Sequence, residues 1–250
     1  MTVRYGDLRL RWLGYATARL DDGGTVVYTD PGRYGVLTGG WSPPTADPTG
    51  HPAGPPYDAR DGDVVVVTHD HHYDPDGVDR VAAPDATLVV YEGVDAARAG
   101  REPAPEDLGR EVVRVGERER VTVDGVGVGS VPAYNDPDGP HCRPSGEPYH
   151  PRGFGVGYLV ELGGETVLWP GDTDVVPEQE ALDVSVLLAN VSGSVAMDRH
   201  GAAALAETLD PGLVCPIHYD TQEFLRADAG AFAADVARRG VPVVLDEGWG

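Results

Sequence analysis

The stretch VVVVTHDHHYDPDG, residues 64–77, concentrates side chains that can hold a metal ion. His69, His71 and His72 fall within four residues, and Asp74 follows them. Neutral imidazole and carboxylate groups are common ligands of zinc and similar divalent ions. The four valines that precede them are typical of a strand buried on both faces. The pattern therefore predicts a metal site at the end of a buried strand.

Spacing indicates which of these side chains converge. His69 and His71 are two residues apart, so on an extended backbone they point to the same side. His72 points away unless the chain has already turned. Pro75 and Gly77 favour a turn that brings Asp74 back to the same pocket. We therefore expect His69, His71 and Asp74 to be ligands, and His72 is a further candidate.

Three more candidate ligands lie at the ends of other predicted strands. His150 precedes the strand GVGYLVEL, Asp172 follows ETVLWP, and His218 ends LVCPIHY. A sandwich of two sheets gathers such end residues along one edge. Together they form a set of nitrogen and oxygen ligands large enough for two ions of zinc, manganese or iron.

Neighbouring polar residues are candidates for substrate binding. Tyr134 and Asn135 follow a strand that runs toward the site. Arg152 lies two residues after His150, and a guanidinium group there could bind an anionic substrate with two hydrogen bonds. Ordinary loop contacts explain the tyrosine and the asparagine equally well, and a surface ion pair explains the arginine.

The order of the elements predicts an α/β (α+β) fold. Short strands dominate the first part of each half of the chain, and helices follow late in each half. The alternating stretches LRLRWL, TARL and TVVYTD predict an antiparallel meander. Near the C-terminus, TQEFLRADAGAFAADVARR predicts a helix capped by Thr221, and PVVLDE, residues 242–247, predicts a last strand. Two sheets packed face to face, with helices outside, fit this order best. A Gly- and Pro-rich loop interrupts the pattern at about residues 32–60. No repeat or change in composition divides residues 1–250, so we expect one domain.

Composition predicts a salt-adapted protein. The formal net charge is −22, and all 19 cationic residues are arginine because the chain contains no lysine. The acidic residues are spread along the chain, as on a surface that stays hydrated in concentrated salt. This charge does not favour a nucleic-acid partner. Cys142 and Cys215 follow no metal or redox spacing, and the N-terminal residues contain no long apolar run. We therefore expect a cytoplasmic location without membrane contact.

The chain resembles the metallo-β-lactamase superfamily, and within it the small hydrolases similar to the ascorbate-pathway lactonase. Six motifs occur in the family's order along nearly the whole chain. They are WLGYAT, YTDPG, THDHHYD, PAYN with YHPRGFGVGY, PGDTD, and SGSVAMD with PIHYD. Two positions depart from the family pattern. Tyr15 stands where the family has histidine, and THDHHYD differs from the expected T-H-x-H-x-D-H.

The resemblance implies an αβ/βα four-layer sandwich with a binuclear metal site at one edge. It assigns His69, His71 and His150 to a first ion, and Asp172 and His218 to a second, with Asp172 as the bridge. The loop can be aligned with or without an insertion at His72. We favour the insertion, in which His72 is a spacer and Asp74 is both a ligand and the catalytic residue that orients water.

The implied activity is hydrolysis of a small molecule by a metal-bound hydroxide, with one or two divalent ions, zinc first and manganese or iron as alternatives. A phosphodiester and a lactone or ester remain equally open as substrates. The alternative is a metal-binding protein or pseudoenzyme without hydrolytic activity, whose second site is incomplete. A homo-oligomer is compatible with either.

Overall fold

The computed structural model describes residues 2–32, 57–221 and 223–246. Within these ranges the chain forms two β-sheets, one of seven strands and one of six, together with short and medium-length helices. The predicted Gly- and Pro-rich loop at about 32–60 falls mostly on residues 33–56, outside the described ranges. Its role stays a prediction, as does the assignment of residues 1–250 to one domain.

The first sheet comes from the N-terminal half of the chain. Its strands follow each other in chain order: β1 (Val3–Tyr5), β2 (Leu8–Trp12), β3 (Ala18–Asp21), β4 (Val26–Thr29), β5 (Gly62–Val67), β6 (Ala82–Tyr91) and β7 (Glu111–Val115). Strands β1 to β4 form an antiparallel meander, as the alternating sequence predicted. Strands β4 to β7 are parallel.

The second sheet has the same plan. Its strands are β8 (Arg120–Val123), β9 (Val126–Ala133), β10 (Gly155–Leu162), β11 (Glu165–Trp169), β12 (Val186–Asn190) and β13 (Leu213–Ile217). Strands β8 to β11 are antiparallel, and β11 to β13 are parallel. The predicted four-layer sandwich is therefore confirmed.

Burial explains the strand patterns. In β2, Leu8, Leu10 and Trp12 are buried while the arginines between them are not, which is the pattern of a strand with one face on the core. In β5 all four valines are fully buried, because this strand is covered on both faces. Side chains from both sheets belong to one contiguous hydrophobic core.

The described helices are short. They are α1 (Pro75–Val81), α2 (Ala96–Ala99), α3 (Pro177–Glu180), α4 (Arg199–Leu209) and α5 (Ala229–Arg238). None of those within residues 2–32, 57–221 and 223–246 has the length and apolar character needed to cross a bilayer.

Two boundary predictions near the C-terminus are wrong. A helix was expected to start at Thr221, but the hydroxyl of Thr221 bonds to the backbone oxygen of Tyr219, and α5 begins only at Ala229. The carboxylate of Asp228 caps it by accepting from the Ala231 amide. Residues 242–247 were expected to form a strand, yet the described residues among them contribute a single bridge, between Val243 and Val214.

The arrangement of strands brings one end of both sheets together. Parallel strands present their carboxyl ends at a common edge, and the carboxyl ends of β4 and β5 meet those of β11, β12 and β13 there. Strand β10 is antiparallel to β11, so its beginning reaches the same edge. The segments that carry the predicted ligands all leave the sheets at this edge.

The absence of a side chain at Gly157 allows β10 to pack against the end of β11. A Cβ atom at Gly157 would lie 2.6 Å from the Pro170 oxygen and 2.8 Å from the Trp169 oxygen. We expect Gly157→Ala to lower the free energy of unfolding by about 1–3 kcal/mol, because backbone must shift to accept the methyl group. The measurement is urea unfolding at constant salt.

Gly129, in the adjacent strand β9, supplies the matched control. The nearest atom to a Cβ there is the Leu159 Cβ at 3.8 Å, an ordinary contact. Gly129→Ala should change the free energy of unfolding by less than about 1 kcal/mol. Equal losses in the two variants would contradict this account.

Candidate metal centre

The histidine-rich loop forms a single 3-10 turn over Asp70–His72, directly after β5. The His72 amide donates to the His69 oxygen at 3.1 Å, which closes the turn. Residues three apart align along a 3-10 helix, and the ring centroids of His69 and His72 are 4.2 Å apart. His72 is therefore no spacer: the turn directs its ring into the cluster.

Six side chains converge at this edge of the sandwich. They are His69, His71, His72, His150, Asp172 and His218. Two groups have ligand atoms that all lie within 4.8 Å of one another: the first contains His69, His71 and His150, and the second contains His69, His72 and Asp172. The predicted ligands His69, His71, His150, Asp172 and His218 are thus brought together, and His72 joins them.

Asp172 lies at the centre of the six. The Nε2 atoms of His69, His72 and His150 are 3.8, 3.7 and 3.5 Å from its Oδ2 atom. The His218 Nε2 atom is 3.5 Å from its Oδ1 atom. One carboxylate therefore faces four imidazole nitrogens, contributed by three separate parts of the chain.

These distances fit a divalent metal ion. With metal–nitrogen bonds of about 2.1 Å, two ligands of a tetrahedral zinc ion are separated by about 3.4 Å. The Nε2 atoms of His72 and His218 are 3.0 Å apart, and His71 Nδ1 is 3.3 Å from His150 Nε2. Within the described residues, the buried Nε2 atom of His69 has no hydrogen-bond partner. A buried ring nitrogen that faces the other candidate ligands and has no hydrogen-bond partner is suited to coordinate a metal ion.

Burial keeps most of these imidazoles neutral. It lowers the pKa of His71 and that of His218 to about 4, against the attraction of the Asp172 carboxylate. Burial also lowers the pKa of His69, helped by the surrounding histidines, and the pKa of His150. The neutral ring is the form that binds a metal ion, so these four side chains are ready to coordinate at pH 7.

The charges of His72 and Asp172 are coupled. Burial lowers the pKa of His72, but the carboxylates of Asp172 and Asp30 outweigh it and hold that pKa above its ordinary value. Burial raises the pKa of Asp172, yet His218, His72 and His150 hold it well below its usual range. Asp172 therefore remains a carboxylate at the centre of the cluster.

Asp30 orients the His72 ring from behind. Its Oδ2 atom is 2.8 Å from His72 Nδ1, and it accepts from Trp169 Nε1 at 2.6 Å. Its Oδ1 atom accepts from the Thr68 amide at 2.8 Å. With Nδ1 directed at this carboxylate, Nε2 of His72 faces Asp172. Such outer contacts orient metal ligands in many proteins.

His150 and Asp172 have outer partners of their own. His150 Nδ1 lies 3.1 Å from the Val195 oxygen and 3.2 Å from Asn135 Oδ1, which also accepts from the His150 amide. Asn190, at the end of β12, donates from Nδ2 to Asp172 Oδ1 at 2.9 Å. Asn135, predicted to bind substrate, thus contacts a candidate metal ligand instead.

Arg101, which follows α2, forms hydrogen bonds to the histidine-rich loop at residues 68–74, called the metal loop from here on. Its Nη1 atom donates to the backbone oxygens of Asp70, His71 and Tyr73 at 3.0, 2.5 and 2.9 Å. The last carbonyls of a short helix need such donors, because the helix supplies none. Arg98 adds a second fastening, from Nε to Asp70 Oδ2 at 2.8 Å.

Asp74 does not join either ligand group. It is the N-cap of α1, and its Oδ1 atom accepts from the amides of Asp76 and Gly77 at 3.0 and 3.3 Å. A carboxylate in this position satisfies the free amides at the start of the helix. The side chain also lines the neighbouring cavity, and its role as a ligand stays a prediction.

Tyr134 and Arg152 lie in a surface cluster away from the cavity. The Tyr134 hydroxyl donates to Glu178, and Arg152 Nη2 donates to Glu178 at 2.6 Å. The guanidinium carbon of Arg152 lies 4.7 Å from the centroid of the Tyr134 ring. These contacts match the surface explanation that the sequence had left open, and neither side chain lines the cavity.

A cavity of about 670 Å³ opens beside the cluster. His71, His150, Asp172 and His218 reach its wall. Tyr15 lines it as well, with its ring 4.7 Å from the His218 ring and 5.0 Å from the His72 ring. A volume of this size suits a small molecule that reacts at the cluster.

Sequence reasoning missed several supporting residues. Asp30 was visible as an aspartate that ends a buried strand, although no role was predicted for it. Asn190 was equally visible at the end of β12. Arg101 lies some thirty residues from the loop that it holds, and nothing in its local sequence points to that contact. His141, which pairs with Asp174 two residues after Asp172, carries no such signal either.

Comparisons with known proteins agree with this geometry. A family model described as "Beta-lactamase superfamily domain" matches residues 9–218. A UPF0173 metal-dependent hydrolase from Pyrococcus abyssi is 28% identical over 249 residues, covering 96% of this chain and 97% of that protein. A UPF0173 metal-dependent hydrolase from Thermus thermophilus is 27% identical over 243 residues, covering 94% of this chain and 93% of that protein.

The fold is also similar to that of a solved structure. Igni18, described as a novel metallo hydrolase from Ignicoccus hospitalis, superimposes with a TM-score of 0.65 at 19% identity. The match covers 95% of this chain and 94% of that one.

Removal of the Arg101 side chain should weaken metal binding. We expect Arg101→Ala to lower the affinity for zinc about 10- to 100-fold, because three carbonyls of the metal loop lose their donor. Competition with a chromophoric chelator measures this affinity without reference to activity.

Arg110→Ala is the control. The Arg110 guanidinium also donates to backbone oxygens, those of Ala83, Leu108 and Ala82, none of which belongs to the metal loop. This variant should keep the wild-type zinc affinity. Equal loss of affinity in both variants would show that Arg101 acts only through general stability.

Proposed function

This chain belongs to the β-lactamase superfamily, and from that premise we propose that it is a metal-dependent hydrolase with two divalent ions. His69, His71 and His150 would hold one ion. His72 and His218 would hold the other, and the Asp172 carboxylate would lie between the two.

The position of Asp172 carries this proposal. Four imidazole nitrogens lie 3.5–3.8 Å from its carboxylate oxygens. Five histidines and one aspartate are more ligands than one four-coordinate ion accepts, and a catalytic ion also keeps one position open. Two ions would use the whole set.

Nitrogen and oxygen ligands without thiolates favour zinc and leave manganese or iron as alternatives. Divalent ions in such a site lower the pKa of water toward neutrality and polarise the oxygen of the bond to be cleaved. The chain's own contribution is to hold four of the five candidate histidine ligands neutral, to exclude bulk water through burial and to present a cavity for the substrate.

Asp74 is our candidate for the residue that handles the proton. It lines the cavity beside His71 and Asp172. Its Oδ1 atom is fixed by two amides of α1, so the carboxylate has a defined orientation. We assign it to orient water or to accept its proton from the cavity wall, not to coordinate an ion.

The alternative, a metal-binding protein without hydrolytic activity, rested on an incomplete second ligand set. The approach of His72 to Asp172 and His218 removes that reason, because it supplies an imidazole where the family pattern was broken. The acidic composition and the free thiols of Cys142 and Cys215 continue to support the proposal of a salt-adapted cytoplasmic enzyme.

Replacement of His218 should remove one of the two proposed metal ions. We expect wild-type protein loaded with zinc and desalted to retain about two ions, and His218→Asn to retain about one. Turnover of carboxylic esters, lactones and phosphodiesters should fall at least about 100-fold in the variant. Elemental analysis gives the metal count and a spectrophotometric substrate panel gives the turnover.

His200→Asn is the matched control. His200 lies on the exposed face of α4, its side chain is 62% exposed, and it should affect neither quantity. A wild-type protein that binds no ion, or one that binds two ions but cleaves no member of the panel, would overturn the proposed function.

Asp74→Asn separates proton handling from coordination. Asparagine caps a helix about as well as aspartate, so the fold and the count of two ions should persist. Turnover should nevertheless fall about 100-fold, because the amide cannot accept the proton.

The control is Asp198→Asn, at the N-cap of α4, where the carboxylate accepts from the amides of His200 and Gly201. It should keep wild-type turnover. If Asp74→Asn loses an ion instead, Asp74 is a ligand and our assignment is wrong.

A further inference from the structure

Among the described residues, Phe224 is the one large hydrophobic residue that is exposed, with 53% of its surface accessible to solvent. It lies in a 3-10 turn, Glu223–Leu225, which follows the candidate ligand His218 by a few residues. Both Phe224 and Leu225 line the cavity beside the metal cluster. An exposed aromatic ring that lines a cavity of this kind is placed to contact a bound molecule.

The position of this turn relative to the cluster is fixed. The Asp220 amide donates to the Leu225 oxygen at 2.9 Å, and Asp220 Oδ1 accepts from the Ala227 amide at 3.1 Å. Leu225 itself is only 1% exposed and anchors the turn in the core. Phe224 is therefore held in place beside the cavity by a rigid support.

The described lining of the cavity includes a group of partly exposed apolar side chains, called the rim here. They are Phe224, Pro75, Ala99, Tyr149 and Val195. An apolar surface of this kind gains free energy when it covers an alkyl or aryl group. The part of the substrate that projects from the reacting bond toward the rim should therefore be apolar.

The charged groups that line the cavity disfavour an anionic substituent. Outside the candidate ligands, the described residues Asp74, Asp76 and Glu102 line the cavity, together with the guanidinium of Arg101. The Nη1 atom of that guanidinium is already bonded to three backbone oxygens of the metal loop. The proposed metal ions would attract a negative charge at the reacting bond, but a negative charge on the substituent would lie among these carboxylates instead.

We propose that the substrate carries an uncharged, apolar substituent beside the bond that is cleaved, and that Phe224 is the residue that recognises this substituent. The inference rests on the proposed function, because it concerns the same site. With an ester as the probe, water adds to the acyl carbon and the bond from that carbon to the alcohol oxygen breaks. One proton of the water passes to the departing alcohol, and the new acid releases the other to solvent.

A series of p-nitrophenyl esters with acetyl, butyryl and hexanoyl groups tests the recognition of chain length. For the zinc-loaded wild type we expect kcat/KM to rise about twofold per added methylene group, since the rim covers the chain only partly. The ratio of hexanoate to acetate should be about tenfold or more. In Phe224→Ala it should fall close to one, and Phe224→Leu should restore most of it.

A charged counterpart tests the preference for an uncharged substituent. The p-nitrophenyl monoester of adipic acid has the same leaving group and the same chain length as the hexanoate, and its chain ends in a carboxylate. We expect its kcat/KM to be at least about tenfold lower than that of the hexanoate at constant salt. A kcat/KM at or above that of the hexanoate would overturn the preference for an uncharged substituent.

Binding of n-alkyl hydroxamic acids with two, four and six carbons separates this inference from the proposed function. Their affinity for the zinc-loaded protein, measured by calorimetry, should rise with chain length in the wild type and not in Phe224→Ala. That result without any ester turnover would leave the apolar recognition standing while the hydrolase proposal fails. Ester turnover and hydroxamate affinity that ignore both chain length and Phe224 would overturn the inference and leave the hydrolase intact.

Discussion

The carboxylate of Asp30 is the group on which the rest of the site depends. It is fully buried, at the end of β4, and it accepts hydrogen bonds from the Thr68 amide and hydroxyl and from the Trp169 indole. Its fourth partner is His72. Burying a carboxylate without hydrogen-bond donors would cost several kcal/mol of folding free energy. The replacement of any one of these partners should therefore destabilise the fold. Because Thr68 follows β5 and Trp169 ends β11, one side chain joins the two sheets to each other and both to the metal cluster.

The backbone around this carboxylate is also constrained. Tyr15, Asp30 and His218 have positive φ angles of 52°, 38° and 63°, in the left-handed region that residues with a side chain rarely adopt. Each such residue costs on the order of 1 kcal/mol or more, and it persists only where its surroundings require it. Here the Tyr15 oxygen accepts from the Trp12 indole and from the His218 amide, so the strained residues support one another. Strain, burial and imidazoles thus coincide at one edge of the sandwich.

Much of this arrangement could be predicted from the sequence, for reasons that the structure makes clear. The valine run of β5 and the alternation in β2 identify strands directly, and His150, Asp172 and His218 were placed correctly at strand ends. The capping role of Asp74 was overlooked, although Asp-Pro-Asp-Gly is itself a signal for the start of a helix. The path of the loop could not be predicted, because Arg101 holds it from a distant segment. Residues 221–228 were assigned to a helix because Thr221 was taken as its cap, whereas the cap is Asp228.

The 3-10 turn at Asp70–His72 has a consequence for how such chains are recognised. A spacing rule such as T-H-x-H-x-D-H describes the path of a backbone as much as a set of ligands. Here the turn brings His72 to His218 and Asp172, although the rule expects a histidine later along the chain. On the proposed function, a coordinating residue can therefore stand at a different place along the sequence while the metal centre keeps its place in the fold. Searches that require fixed intervals between ligands will discard such chains as degenerate, and a criterion based on convergence around one buried carboxylate will keep them.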